Sequence, residues 1–346
     1  MKELTINNND AGQRLDRFVT KVVPALPSSL IQKYIRLKRI KINGRGAKSD
    51  YKLCENDVVQ LYISDKFFES VHSRSKTVTS ASTLQLASIA STTPCQLDVI
   101  YEDNNILLIN KPTGMLCYDT RNIEVNTLIN HVQAYIAAKG QWQPQRENTF
   151  SPALCNRIDR NTSGMVIIAK NAESLRIINE KIKNKEIDKF YLTVTAGIPT
   201  PANGLLSGFI SKDGKRNLVT VTKKEMPDSK FAETEYKTLT TSECNNKFPI
   251  ALLECRLITG RTHQIRAQLA HMGYPVLGDV KYGNKQYNEH YNEFHQLLCS
   301  YKITFSFTSD SGSLSYLNGK SFQVKNVPFI NTYFQAFASR LLFLKR

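Results

Sequence analysis

The chain has 346 residues, room for one large domain or two smaller ones, and its 41% hydrophobic and 22% charged content is that of a protein able to bury a core. Its formal charge of +16, from 46 Lys plus Arg against 30 Asp plus Glu, attracts polyanions; nucleic acid ranks first, an anionic membrane surface second, and mere solubility is the bland reading. No run approaches the roughly 18 apolar residues that cross a bilayer, no apolar signal-peptide stretch opens the chain, and its 7 cysteines show neither a CxxC pair nor zinc spacing, so a reducing cytoplasm and no metal are expected.

Residues 1–65 form a compact basic unit. Pro27-Ser28-Ser29 can start a helix, with a serine oxygen accepting from free N–H groups of the first turn. Leu30, Ile31, Tyr34 and Ile35 recur at helical spacing and predict a buried stripe. The stretch RIKINGRGAKSDYKL then reads as a strand, a Gly-containing turn and further basic residues. Between Lys33 and Lys48 stand 7 Lys or Arg and no acid: Lys33, Arg36, Lys38, Arg39, Lys41, Arg45 and Lys48. Such a run is often only a solvated face, but flanking a short helix and a tight hairpin it makes a rigid surface for phosphates. GQRLDRFV (Gly12 to Val19), SSLIQKYIRLKRIKING (Ser28 to Gly44) and YKLCENDVVQL (Tyr51 to Leu61) together resemble the small RNA-binding module first seen in ribosomal small-subunit protein four.

Residues 66–94 are dense in Ser and Thr with no sustained period, which predicts a linker that lets its neighbours move independently. From Cys95 to the end, β-rich runs alternate with amphipathic helices without strict βαβ repetition, the pattern of an α+β or mixed-sheet domain.

Two segments there carry candidate chemistry. In NRIDRNTSGMVIIAK (Asn156 to Lys170) a polar loop runs through Thr-Ser-Gly into an apolar strand from Met165 to Ala169, and strand ends are where scaffolds place reactive groups. Asp159 lies between Arg157 and Arg160, which favour its ionised form if they turn towards it; the bland alternative is an aspartate that caps its own turn. In LITGRTHQIRAQLAHMGYPVLGDVKYG (Leu257 to Gly283) a strand over 250–258 reaches a Thr-Gly turn. Thr262 is placed to cap a helix that Gly273 and Pro275 end. His263 and Arg266 fall on one helical face near its start, either as anion-binding groups or as ordinary surface residues. No phosphate-binding GxxxxGK[ST], no GxGxxG, no HExxH and no GxSxG is present, so ATPase, nicotinamide, zinc-peptidase and α/β-hydrolase readings lose support.

These two segments resemble the active-site motifs of the RluA family of pseudouridine synthases, whose loop reads Arg-Leu-Asp-x-x-Thr-Ser-Gly, with Ile158 here in place of leucine. NKPTG (Asn110 to Gly114), KFYLTVTAG (Lys189 to Gly197), AETEYKTL (Ala232 to Leu239), TGRTHQIR (Thr259 to Arg266) and GDVKYG (Gly278 to Gly283) follow in the family's order. The resemblance spans about residues 97–307 and implies a mixed, largely antiparallel central sheet over residues 95–346, with a cleft for a flipped uridine. It implies Asp159 acting on the ribose as nucleophile or as base, Arg266 pairing with it, and Tyr191 against the uracil. Arg157, Arg160, Arg261 and His263, with the N-terminal cluster, would contact RNA, and no cofactor is needed. Asn156, Tyr118 and Cys299 stand where the family commonly has histidine. The expected substrate is structured RNA, foremost large-subunit ribosomal RNA, handled by a cytoplasmic monomer. Transfer RNA, an organelle's ribosomal RNA, and a non-catalytic role in ribosome assembly are the alternatives.

Overall fold

A computed structural model describes residues 1–68, 96–119, 126–214, 218–242 and 247–337. Nearly all of the expected linker therefore lies outside the described residues, although Phe67 and Phe68, within its first residues, pack against the N-terminal core.

That core lies between two helices and a four-stranded sheet. The helices are α1 (Leu15–Val22) and α2 (Ser28–Arg36). The strands are β1 (Lys2–Thr5), β2 (Ile40–Ile42), β3 (Arg45–Gly46) and β4 (Val58–Leu61), in the order β1-β4-β2-β3. Ile31 and Ile35 of α2 are buried and Leu30 and Tyr34 pack beside them, as their spacing predicts. The expected serine cap is absent: the carbonyl of Pro27 accepts the N–H groups of Leu30 (2.9 Å) and Ile31 (3.0 Å), so the backbone closes the first turn without a side chain. Asn43 and Gly44, both at positive φ (50° and 77°), turn β2 into β3.

The second unit is an 11-stranded sheet. Its central strands are β6 (Ile106–Lys111), β8 (Ser163–Ala169), β9 (Ile187–Ala196), β13 (Ile250–Leu257) and β14 (Leu298–Phe305). Outside them lie β5 (Asp98–Glu102), β10 (Asn203–Asp213), β11 (Leu218–Thr222) and β12 (Lys230–Ser242). The order is β11-β10-β12-β13-β9-β14-β8-β6-β5, with β7 (Ala153–Leu154) on β8 and β15 (Ser321–Gln323) on β14. Among the described residues, every strand pairing is antiparallel except β14 with β8, so the sheet is mixed and largely antiparallel, as expected.

Alternate residues of β6 and β8 face opposite sides, and both sides are covered. Ile106, Leu108, Met165 and Ile167 pack with Ile178 of α4 (Ala172–Lys183). Leu107, Ile109, Val166 and Ile168 pack with Leu128 and Val132 of α3 (Leu128–Ala138). Burial on both faces explains why these strands read as unbroken apolar runs. Among the described residues, α5 (Gln264–His271), α6 (Lys285–Tyr291) and α7 (Pro328–Tyr333) complete the α-helices. Among the described residues, no helix is long and apolar enough to cross a membrane.

The two units touch through a polar seam. Asp10, fully buried, accepts from Asn148 Nδ2 (2.8 Å) and Thr149 Oγ1 (2.5 Å). Asn7 Nδ2 and Asn9 Nδ2 donate to Glu147 (3.0 and 2.8 Å), while Asn9 Oδ1 accepts the amide of Ala172 at the start of α4 (3.0 Å). These hydrogen bonds tie residues 7–10 of the first unit to residues 147–149 and 172 of the second.

Candidate active site

The parallel junction of β8 and β14 sets the position of the Asp159 loop. Gly164 sits at φ +109°, and a Cβ there would lie 2.3 Å from the carbonyl oxygen of Ser300, so only glycine admits this approach. The loop just before it is bound from below. Lys111, fully buried at the end of β6, donates from Nζ to the carbonyls of Pro112 (2.8 Å), Met115 (2.8 Å) and Arg160 (3.0 Å). Burial pulls the Lys111 ammonium down to about 8. The amide of Gly114 donates to the carbonyl of Arg160 (2.9 Å), and Arg160 Nε returns a bond to the carbonyl of Gly114 (3.0 Å).

Asp159 rises from this loop with its side chain 28% exposed. Arg266, on α5 and 5% exposed, donates from Nη1 to Asp159 Oδ2 at 2.8 Å. The other edge of the guanidinium meets a second carboxylate: Nε donates to Asp279 Oδ2 (2.7 Å) and Nη2 to Asp279 Oδ1 (3.0 Å). Burial favours protonation of Asp279, but Arg266 and the N–H groups of Lys281 and Tyr282 outweigh it and hold the carboxyl below its usual range. Replacing Arg266 with an apolar residue would strand these carboxylates, at about 3–5 kcal/mol.

The expected Thr262 cap is not formed. His263 occupies the N-cap of α5 in the left-handed region (φ 51°), and Gln264 organises the turn, its Oε1 accepting from the Arg261 amide (2.9 Å) and from Thr259 Oγ1 (2.8 Å). This backbone swings His263 inward. Its Nε2 lies 3.8 Å from Asp159 Oδ2, and its Nδ1 is hydrogen-bonded to Tyr282 Oη (2.9 Å). Burial lowers the imidazole pKa below 6.5, with Arg266 and Lys281 adding to that and Asp159 opposing it.

The cleft has two lobes that share Arg157, Ile158, Asp159, Thr262, His263 and Arg266. One, of about 480 Å³, adds Asn156, Lys189, Tyr191 and Arg261. The other, of about 420 Å³, adds Tyr118, Arg160, Lys212, Lys281 and Gln296. Tyr191 is 6% exposed and burial pushes its hydroxyl pKa well up, so it presents a neutral phenol. Arg157 and Arg160 are exposed at the rim; Asp159's closest cation is Arg266, 107 positions away along the chain. Arg261 is also exposed, its Nε donating to the carbonyl of Phe231 (3.0 Å).

Of the three histidine replacements, Asn156 and Tyr118 line the lobes and Cys299 does not. Asn156 Oδ1 accepts the amide of Ile167 (2.7 Å) and Tyr118 exchanges bonds with the backbone of Leu154 (3.1 and 3.2 Å). Cys299 is buried in β14, its thiol pushed up to about 12.

The N-terminal cations lie on the smaller unit. Lys33, Arg36, Lys38, Arg39 and Arg45 are exposed and Lys41 is half-buried. Arg36 lines a hollow of about 560 Å³ with Arg14, Gln32 and Lys48. Arg39 lies over the Tyr34 ring (5.5 Å) and Lys41 over Tyr62 (5.2 Å). Sequence reading missed Lys111, Lys212, Asp279, Tyr282 and Gln296. Lys111, Asp279 and Tyr282 stand inside recognised motifs, but their roles depend on partners that only folding supplies.

A mixed sheet with a basic cleft around a paired carboxylate, joined to a small basic module, defines a class of RNA-modifying enzyme. Residues 105–271 match the RNA pseudouridylate synthase family and residues 13–59 match the S4 domain. The chain is 31% identical over 339 residues to an uncharacterized RNA pseudouridine synthase of Mycoplasma capricolum, covering 96% of this chain and 99% of the relative. It is 33% identical over 277 residues to the ribosomal large subunit pseudouridine synthase C of Rickettsia bellii, covering 80% and 85%. The fold is shared with human RNA pseudouridylate synthase domain containing 4, at a TM-score of 0.50 and 18% identity over 72% of this chain and 94% of that one. The chain belongs to the RNA pseudouridine synthases, of the RluA type, and carries an S4 domain at its N-terminus.

Proposed function

We propose that this enzyme isomerises uridines of large-subunit ribosomal RNA in a bacterial cytoplasm, with Asp159 as its catalytic carboxylate. The observation that carries the reading is the 2.8 Å contact from buried Arg266 to Asp159, which aims a carboxylate while leaving it open to the cleft. In the reaction, the bond from C1′ to N1 breaks, C1′ joins C5, the C5 proton leaves and N1 gains a proton. Asp159 serves either by attacking C1′ or by taking a proton from C2′. Tyr191, a buried neutral phenol lining the same lobe as Asp159, is suited to lie against the uracil.

Extruding the uridine from folded RNA costs a few kcal/mol. Phosphate contacts by Arg157, Arg160, Arg261 and Lys212 at the rim, and by Arg36 and its neighbours on the S4 domain, would offset it. The S4 domain and the relatives named for the large subunit support ribosomal RNA as substrate. The test is tritium release from ribosomal RNA labelled at uridine C5. Release by wild type and none by Asp159→Asn is the expected result. Equal release by both would remove Asp159 as catalyst, and release only from transfer RNA would move the substrate.

A further inference from the structure

The turn over residues 278–283 is built with more constraint than a surface connection requires. Gly278 is at φ +79°, and a Cβ there would lie 2.2 Å from the carbonyl oxygen of His295. A Cβ on Gly283 would lie 2.0 Å from the carbonyl oxygen of Asp279. Between them, Asp279 is fixed from two directions. Its Oδ1 accepts the amides of Lys281 (2.8 Å) and Tyr282 (3.2 Å), and its carbonyl accepts from the amide of Gly283 (2.9 Å) and Asn288 Nδ2 (3.2 Å). With its side chain 0% exposed, this carboxylate has no access to RNA.

What Asp279 does touch is Arg266. A guanidinium is a planar fork, and a carboxylate on its Nε–Nη2 edge stops it rotating. Asp279 occupies that edge at both points and fixes the plane of the fork, and of the three N–H groups that remain, two on Nη1 and one on Nη2, only one on Nη1 bonds Asp159. Nη1 bonds Oδ2, and His263 Nε2 lies nearest the same oxygen at 3.8 Å. Among the described residues, Oδ1 of Asp159 has no hydrogen-bond partner. The Tyr282 ring lies over the guanidinium at 5.2 Å, and its hydroxyl, bonded to His263 Nδ1, accepts the amide of Val219 (2.8 Å). The same short turn thus braces both groups that face Asp159.

We propose that Asp279 is a positioning residue for the isomerisation: by gripping Arg266 at two points from behind, it limits Arg266 to one hydrogen bond on Asp159 and leaves Oδ1 to react. A freed Arg266 would swing its fork onto Asp159 and engage both oxygens. The geometry has a second consequence in charge: one guanidinium shared between two carboxylates leaves the trio at net −1, so Asp159 is not fully neutralised by its partner. The inference rests on Asp159 being the catalytic carboxylate.

The decisive variant is Asp279→Asn. The backbone amides of Lys281 and Tyr282 keep its carbonyl at the Oδ1 position and turn its NH₂ against Arg266 Nε, a donor facing a donor. Single-turnover rates, measured with enzyme in saturating excess over tritiated ribosomal RNA, are insensitive to a fraction of unfolded protein. The expected loss is on the order of 100-fold in that rate, with RNA affinity within about twofold of wild type because Asp279 makes no RNA contact. In an Arg266→Met background, Asp279→Asn should slow the reaction no further. A wild-type rate for Asp279→Asn, or an equal loss in both backgrounds, would overturn the proposal. Should Asp279→Asn yield no folded enzyme, Arg266→Lys decides: it keeps the charge but cannot be gripped at two points, so full activity would show the grip to be unnecessary. Asp159→Asn in the same assay separates the two readings, since its activity would remove Asp159 as catalyst whatever Asp279 does.

Discussion

Gly164→Ala tests the junction on which the site stands. The added methyl would lie 2.3, 2.6 and 2.7 Å from the O, N and C atoms of Ser300, all backbone, at a residue whose φ of +109° already disfavours a side chain. Strain at such a φ is about 1–3 kcal/mol. Strand β14 must then move away from β8, weakening the pairing of Cys299 with Ser163 and of Ser300 with Gly164; backbone hydrogen bonds contribute about 1 kcal/mol each. The sum is about 4 kcal/mol, and at about 2–4 °C per kcal/mol for a unit of this size the melting temperature falls by about 8–16 °C. Because Ser300 also pairs with Tyr191 across β14 and β9, the displacement reaches the cleft, and the folded fraction should turn over more slowly. The comparison is Gly114→Ala, at φ +88° with nothing within 4 Å of the added methyl, which carries backbone strain alone. Thermal unfolding of both variants by circular dichroism is the assay. If Gly164→Ala melted within about 2 °C of wild type, or no lower than Gly114→Ala, steric exclusion at Ser300 would not be what holds the junction.

Three further outcomes are expected. Burial pushes the Glu102 carboxyl up, but Lys139, Tyr135 and Lys170 overcome that and hold it at about 2. A folded pKa below the unfolded one means its stabilisation is complete above about 4.5 and is lost as pH falls from there towards 2, so Glu102→Gln should flatten acid unfolding across that window. Asp10→Ala leaves Asn148 and Thr149 without their buried acceptor, at about 1–3 kcal/mol. Hydrogen exchange should then quicken in residues 7–13 and 146–149 together, and a change confined to 7–13 would refute the seam. Arg36→Ala with Lys48→Ala should weaken RNA binding and reduce the slope of log K against log salt by about 0.7–0.9 for each phosphate no longer neutralised, whereas an unchanged slope would take the 560 Å³ hollow out of the RNA interface.

Much of this protein is legible in one dimension because the determining signals are local. Leu30, Ile31, Tyr34 and Ile35 repeat with the helical period, and the apolar run from Met165 to Ala169 marks a strand buried on both faces. The Asp159 loop and the motifs that follow it carry the family resemblance in order along the chain. The helix caps depart from expectation because a backbone carbonyl and a glutamine side chain replace the serine and threonine that propensity favours. Tertiary structure alone decided which charges meet. Asp159 is flanked by Arg157 and Arg160 in sequence yet pairs with Arg266, because a loop at a strand end points its side chains away from their neighbours and towards whatever the sheet brings opposite. Asp279 lies 13 residues beyond Arg266, and only a glycine-bounded turn folds it back beneath the guanidinium. Composition and spacing determine which groups are available; the register of β8 against β14, and the backbone contacts that enforce it, determine which of them face one another.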